Sequence, residues 1–500
     1  MASVEGWAAP GFGTVRELFA QGVADGLEDH AQCAAFVGGE LVCDLWTKGH
    51  ARGVQNVFSS TKVLTSLVVA MLVDRGYLAY DQTVASIWPE FAQHGKGGIT
   101  IAQVMRHQAG LAEFSEVLLA EDLADLRSGN VARIIARQKP SHTETDPEKA
   151  PRQYHSLTRG WIVNEIVRRV DPQSRTIGEF LRDEIAAPLQ LGSELSIGTP
   201  RHLSPTSKEK TDAGRHEIQP LKLTSFWWTW WNLLMPRVLG GGKVPLHSFA
   251  LRVALVWMMP LYKLLERWNL IKSVSNLFTL ADARQESQQP APTPGEEERA
   301  NDADADPVRR RGTFGPQLTT RALWASKENI GVRDLFNTAK VMSSECPSAN
   351  GHASGHALAK IASMIVCGGK LPGASSARLL SEKGVKEAHA APVEAKMFGF
   401  PRFWFTQAGW NIFKPWWGDG GRHGFVGWFG LGGSVCMWHP GLSIGFGYAM
   451  NQMEITPTNE RGLRLQREVV RCARRAAAGA AAGGAPLTTR QHMMNSNSKL

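Results

Sequence analysis

Between Phe58 and Gly76 a polar tetrad, Ser59-Ser60-Thr61-Lys62, runs straight into Val63-Leu64-Thr65-Ser66-Leu67-Val68-Val69-Ala70-Met71-Leu72-Val73. A stretch this long, uncharged from Val63 to Val73 and apolar on most sides of a helical wheel, calls for a helix buried all round. A domain must therefore wrap it. Ser59 is a good cap residue, and Gly76, after Asp74-Arg75, is a good stop. Residues three apart share a helix face, so the S-x-x-K spacing sets Lys62 one turn from the Ser59 hydroxyl. A serine becomes a nucleophile when a neighbour takes its proton, and a lysine in a dry helix start has its pKa lowered enough to do so. The Ser59 N–H, at a helix N-terminus, would also stabilise a developing oxyanion. The plain alternative is a chance tetrapeptide with Lys62 as a surface charge.

Five hundred residues allow one large domain with insertions, or two to three domains. The net charge of +9 comes from scattered residues, with local runs only at Arg309-Arg310-Arg311 and Arg474-Arg475. Nucleic-acid binders concentrate such charge on one face or segment, so no nucleic-acid partner is expected. The six cysteines form no C-x-x-C pair, and Met1-Ala2-Ser3-Val4-Glu5-Gly6 lacks a secretory pattern. Free thiols in a reducing compartment are the simplest reading. His352 and His356, between Cys346 and Cys367, are a weak metal option; Gly351, Ser354 and Gly355 point to a helix start instead. No metal is expected, and with no phosphate loop or dinucleotide fingerprint, no cofactor.

In chain order, 11–30 reads as an amphipathic helix and Ala34 to Trp46 as a hairpin about Gly38-Gly39. A short helix over 99–111 ends at Gly110, and a charged, loop-rich span covers 115–150. Helices follow at Ile162 to Val170 and Ile177 to Ala187. The composition changes from 202 to 320: 226–234 is dense in tryptophan, and 249–265 is apolar but interrupted by Arg252 and Pro260. Spanning a bilayer takes roughly 20 apolar residues, so a span is not expected. A packed lid is favoured over peripheral membrane contact through 222–280. Gln285 to Arg311 has the composition of a disordered linker. A helix then covers Gly355 to Cys367, strands pair about His439-Pro440-Gly441, and a basic helix spans Arg461 to Ala477. The resulting division is 1–200 and 323–477 as two parts of one domain, 201–322 as insertion and linker, and 478–500 as a flexible tail. The fold class is α/β: a sandwich with a mostly antiparallel sheet, a helical subdomain and a large insertion. Ser498-Lys499-Leu500 reads as a peroxisomal address, or that of a glycosome-type organelle, for an import receptor. The alternative location is cytoplasmic.

Several segments together resemble one family. Ser59-Ser60-Thr61-Lys62, Met105-Arg106-His107-Gln108-Ala109-Gly110-Leu111, Tyr154-His155-Ser156, Pro347-Ser348-Ala349-Asn350-Gly351 and Gly447-Tyr448-Ala449-Met450-Asn451 occur in its order. The chain is similar to the serine β-lactamase-related proteins, meaning class C β-lactamases, penicillin-binding proteins and, nearest, the family VIII carboxylesterases, over about 11–200 and 325–475. The resemblance implies a β-lactamase/transpeptidase-like fold, Ser59 as nucleophile, and Tyr154 as base or proton shuttle with its pKa lowered by Lys62. Which of Lys62 and Tyr154 takes the proton stays open. It implies an oxyanion hole from the backbone N–H groups of Ser59 and Leu431.

Aligning Gly432-Gly433-Ser434 with the family's glycine-rich strand puts Trp428-Phe429-Gly430 where β-lactamases carry Lys-Thr-Gly, with Ser156 in place of asparagine. A rival alignment sets His423 there. An indole offers a carboxylate no cation, so these changes favour neutral small-molecule esters. The expectation is a serine hydrolase cleaving carboxylic esters through an acyl-enzyme, with Ser156, Trp428, Phe429 and Gly430 at the substrate. Trp404, Trp410, Trp416, Trp417 and Phe429 would wall an acyl pocket. The alternatives are β-lactamase or D-Ala-D-Ala peptidase activity, or a non-catalytic scaffold binding a membrane or partner through its insertion.

Overall fold

A nine-stranded sheet, antiparallel at every neighbouring pair, forms the body. The computed structural model describes residues 4–49, 53–116, 118, 120–199, 220–223, 336–371, 377–397, 402–414, 422–453 and 460–481. The aromatic cluster at 226–234, the apolar run at 249–265, the 285–311 linker, Trp416, Trp417 and Ser498-Lys499-Leu500 lie outside the described residues. Among the described residues no helix is long and apolar enough to cross a membrane.

The chain opens with β1 (Val4–Ala8), α1 (Gly13–Ala24), β2 (Ala31–Val37), β3 (Glu40–Thr47) and β4 (Gln55–Asn56). A 3-10 turn, Phe58–Ser60, leads into α2 (Thr61–Asp74). The helical subdomain holds α3 (Val84–Ile87), α4 (Ile101–Met105), α5 (Ala120–Ala124), α6 (Asn130–Arg137), α7 (Thr158–Val170) and α8 (Ile177–Leu181), with a π turn at Arg182–Ala186. After β5 (Leu195–Ile197) and β6 (Lys222–Leu223) come α9 (Ala339–Ser343), β7 (Gly351–Ala353), α10 (Gly355–Val366) and α11 (Glu382–His389). The strands β8 (Val393–Lys396), β9 (Arg402–Phe405), β10 (Asn411–Ile412), β11 (Val426–Phe429), β12 (Val435–His439), β13 (Ile444–Met450) and β14 (Gln452–Met453) precede α12 (Glu460–Ala481).

The sheet order is β1-β3-β2-β13-β12-β11-β10-β9-β8. Its seam joins β2 to β13, with Ala34 opposite Gly447. The Ile-Gly-Phe-Gly-Tyr alternation of β13 has a direct cause. A Cβ on Gly445 or Gly447 would meet the backbone of α10 at 2.3 and 2.1 Å, so glycine on that face lets the helix lie against the strand. On the other face Tyr448 reaches Glu28, whose carboxylate also pairs with Arg461 of α12. Every residue from Thr61 to Val73 is buried, as the apolar run required. Each large side chain there contributes about 1.5–3 kcal/mol by leaving water.

Several expectations need correction. The first helix is α1, shorter than 11–30, and a strand, β1, precedes it. The 99–111 helix stops at Met105: a Thr100–Gln103 capping box starts it, and His107 leaves it with φ +64°. The 115–150 span contains α5 and α6, whose Val131, Ile134 and Ile135 are buried. Within 201–322, Lys222–Leu223 pairs in parallel with β14.

Candidate active site

The Phe58–Ser60 turn is built on strain. Phe58 takes φ +42°, which costs a branched or bulky residue of order 1–3 kcal/mol. Its N–H is held by Asn56 Oδ1 at 2.8 Å, and its ring packs on Phe336. The bend turns the chain from β4 into α2 and leaves Ser59 as the one part-exposed residue among buried neighbours. Ser59 is therefore not the helix cap expected. Ser60 holds that position and makes no side-chain cap bond. The Ser59 hydroxyl is free for other partners.

Lys62 stands behind it, 2% exposed. Its Nζ donates to the carbonyls of Ser156 at 2.7 Å and Ser348 at 3.1 Å, and lies 3.3 Å from Ser59 Oγ. A neutral amine has two N–H bonds and one lone pair. Two carbonyls use the first, and the lone pair is left facing Ser59. Burial first, and then the charge of Arg159, holds the Lys62 pKa well below the ordinary lysine value. Tyr154 comes from the loop before α7 and donates its O–H to Ser59 Oγ at 2.8 Å. Its phenol was expected to be acidified by Lys62. Instead burial raises its pKa, against smaller opposing effects from Ser59, Trp428 and Arg159. Burial thus favours the neutral amine of Lys62 and the protonated phenol of Tyr154.

Trp428 on β11 sits against Tyr154, while His423 is exposed in the loop before that strand, beside His439. The structure brings the indole, not the imidazole, to the third position. Its Nε1 donates to Tyr154 Oη at 3.2 Å, so its one N–H is already used. The ring is buried among Phe403, Phe405, Phe413 and Phe429. Gly430 is a packing residue: a Cβ there would lie 2.3 Å from both Val57 O and Ser434 Oγ. Ser434 donates to Val57 O at 2.6 Å and meets Ser60 Oγ at 3.0 Å, tying the β11–β12 turn to the Phe58–Ser60 turn. Leu431, 45% exposed, rides on that turn. Arg461 braces it from behind by donating to Gly432 O at 3.0 Å. Ser156 is exposed at the mouth, where only its carbonyl is engaged.

The acyl-pocket wall needs revision. Trp410 is core, edge-on to Trp438, and Trp404 is a surface residue bonded to Glu394. Of the described members only Phe429 is at the site. His352 lies on β7, and His356 Nδ1 is 3.0 Å from Glu194. Among the described residues no cluster of His, Cys, Asp and Glu could hold a metal.

Two residues went unassigned in the sequence. His107 stacks 4.9 Å from Tyr154, and its Nδ1 accepts the His155 N–H at 3.1 Å. Arg159, on the first turn of α7, fills the space between His107 and α2. An arginine set among Leu157, Trp161 and Ile162 was the only available signal.

A sequence profile of the family described as Beta-lactamase matches residues 15–246, which take in Ser59, Lys62 and Tyr154 but not the β11–β12 turn. The chain is 30% identical to the esterase/beta-lactamase LipL of Mycobacterium tuberculosis over 213 residues, 41% of this chain. That match spans 47%, about half, of LipL. A penicillin-binding protein homologue from Caulobacter crescentus superposes with TM-score 0.63 at 26% identity, over 94% of this chain and 100% of that one. A family VIII carboxylesterase shares the fold with TM-score 0.61 at 24% identity, over 94% and 100%.

Proposed function

This chain is related to the serine β-lactamase family and has its fold, and on that premise we propose that it is a serine hydrolase cleaving carboxylic esters through an acyl-enzyme on Ser59. One observation carries the reading: Ser59 Oγ lies between a proton acceptor, Lys62 Nζ, and a proton donor, Tyr154 Oη. Ser59 attacks the ester carbonyl as its proton passes to Lys62. The tetrahedral oxyanion is held by the backbone N–H groups of Ser59 and Leu431. Collapse breaks the ester C–O bond, Tyr154 protonates the departing alkoxide, and the Lys62 ammonium restores the phenol proton. Water then enters, gives a proton along the same route in reverse, and frees the carboxylic acid and Ser59.

The ester preference rests on Trp428. An indole whose N–H is already engaged gives a substrate carboxylate no partner, and the Phe403, Phe405, Phe413 and Phe429 rings around it are apolar. The test is labelling with a fluorophosphonate, located by mass spectrometry, alongside p-nitrophenyl ester turnover. Label is expected on Ser59, and Ser59→Ala is expected to lose turnover by at least about a thousandfold. Folded protein that takes no label and hydrolyses no ester would retire the reading. Nitrocefin hydrolysis as fast as ester hydrolysis would move it to β-lactams.

A further inference from the structure

Arg159, at the start of α7, is 1% exposed and lies directly behind Lys62. Its Nη2 donates to the Lys62 carbonyl at 3.1 Å and to Ser66 Oγ at 2.6 Å, and Nη1 is 3.5 Å from His107 Nε2. Its Nε has no partner, and no carboxylate is bonded to it among the described residues. Two other buried arginines have carboxylate partners, while Arg152, also buried, is bonded to backbone carbonyls alone among the described residues. Asp171 and Glu184 pair with Arg175, and Glu28 pairs with Arg461. An unpaired buried charge is costly, and arginine does not give up its proton in proteins. With two potential cations in one dry cluster, the amine is the one that yields.

We propose that Arg159 is a positioning residue that sets the protonation state of Lys62: a permanent positive charge behind α2 keeps the amine neutral, with its lone pair free for Ser59. This rests on the reading of Ser59, Lys62 and Tyr154 as the reacting groups. The other titratable groups around Lys62 do not supply the effect. His107 and His155 are held neutral by burial, the latter with its pKa down to about 3. The Cys346 thiol is pushed up to about 12, and the Tyr154 phenol is also raised. Arg152 is bonded to carbonyls of the β8–β9 side. At the far end of α2, Asp74 is bonded to Ser381 and Arg75 to Glu184 of the π turn.

Two measurements test it. The ¹³Cε shift of Lys62, assigned with Lys62→Met, gives the titration midpoint without any need for activity. The pH dependence of fluorophosphonate labelling gives the functional one. Arg159→Gln is expected to raise the midpoint by about one pH unit or more. Its labelling should fall about tenfold at pH 6.5 and return to within about threefold of wild type near pH 9.5. An unmoved midpoint, or the same fractional loss at every pH, overturns the proposal. Should Arg159→Gln not fold, Ser66→Asp gives the guanidinium a carboxylate in situ and must raise the midpoint likewise; no rise overturns it. If the midpoint moves as stated while wild type takes no label, the ester-hydrolase reading fails and the charge effect stands.

Discussion

At the scale of single residues, the site depends on side chains whose polar atoms are already spoken for. The Trp428 indole N–H is given to Tyr154 Oη, where it would steady the phenol oxygen while its proton is away. Trp428→Phe keeps a ring in the aromatic stack and removes that donor. It is expected to lower kcat about 10- to 100-fold with KM changed less than about threefold; steady-state kinetics on p-nitrophenyl acetate checks this. An unchanged kcat would leave the indole as filler. This contact could not be read from the sequence, because Trp428 and Tyr154 are 274 residues apart. Ser59 and Lys62 were legible because helical spacing alone brings them together. Ser59 was misjudged only as a cap, since the strain at Phe58 that displaces it depends on tertiary contacts with Asn56 and Phe336.

At the scale of elements, two turns have to meet. The β11–β12 turn, with Leu431 at its tip, touches the chain leading into the Phe58–Ser60 turn through Gly430, Ser434 and Val57. Gly430→Ala would drive a methyl group into Val57 O and push the two apart. The expected result is a loss of about 10²- to 10³-fold in kcat, the size of losing one oxyanion donor, together with a lower melting temperature. Gly13→Ala is the control, since nothing lies within 4 Å of its Cβ position and its φ is ordinary. Equal activity in the Gly430 and Gly13 variants would separate the turn from catalysis. The Gly38-Gly39 hairpin and the β12–β13 pair were legible because their signals are local. The strands β8 to β10 were not. They are four residues or fewer, so neither period nor length marks them.

At the scale of the whole molecule, several bases are buried in their neutral form. His155 is held at about 3, His352 at about 4, and His107 well below its usual value, all chiefly by burial. Unfolding returns each to about 6.5, so the unfolded chain binds more protons between those limits. That stability is present above pH 6.5 and is lost as the pH falls towards 3. Glu345, raised to about 7 by burial, works the other way, and its contribution fades as the pH rises from 4.5 through 7. Thermal unfolding should therefore show a steep fall in melting temperature from about pH 6.5 towards pH 4. A melting temperature level down to pH 4 would count against buried neutral histidines. The α/β architecture was legible from its ordered motifs, whereas this charge balance was not, because burial leaves no mark on a residue type.

The β2–β13 seam bears on biogenesis. Ala34 and Gly447 face each other although they stand 413 positions apart in the chain (447 − 34). At roughly 5–20 residues per second, a ribosome needs about 20–80 s to deliver the second after the first. Through that interval the nascent hairpin holds out a bare ladder of amides and carbonyls, the kind of edge other chains pair with. Yield in a cell is then decided by who shelters that edge until the late strand arrives.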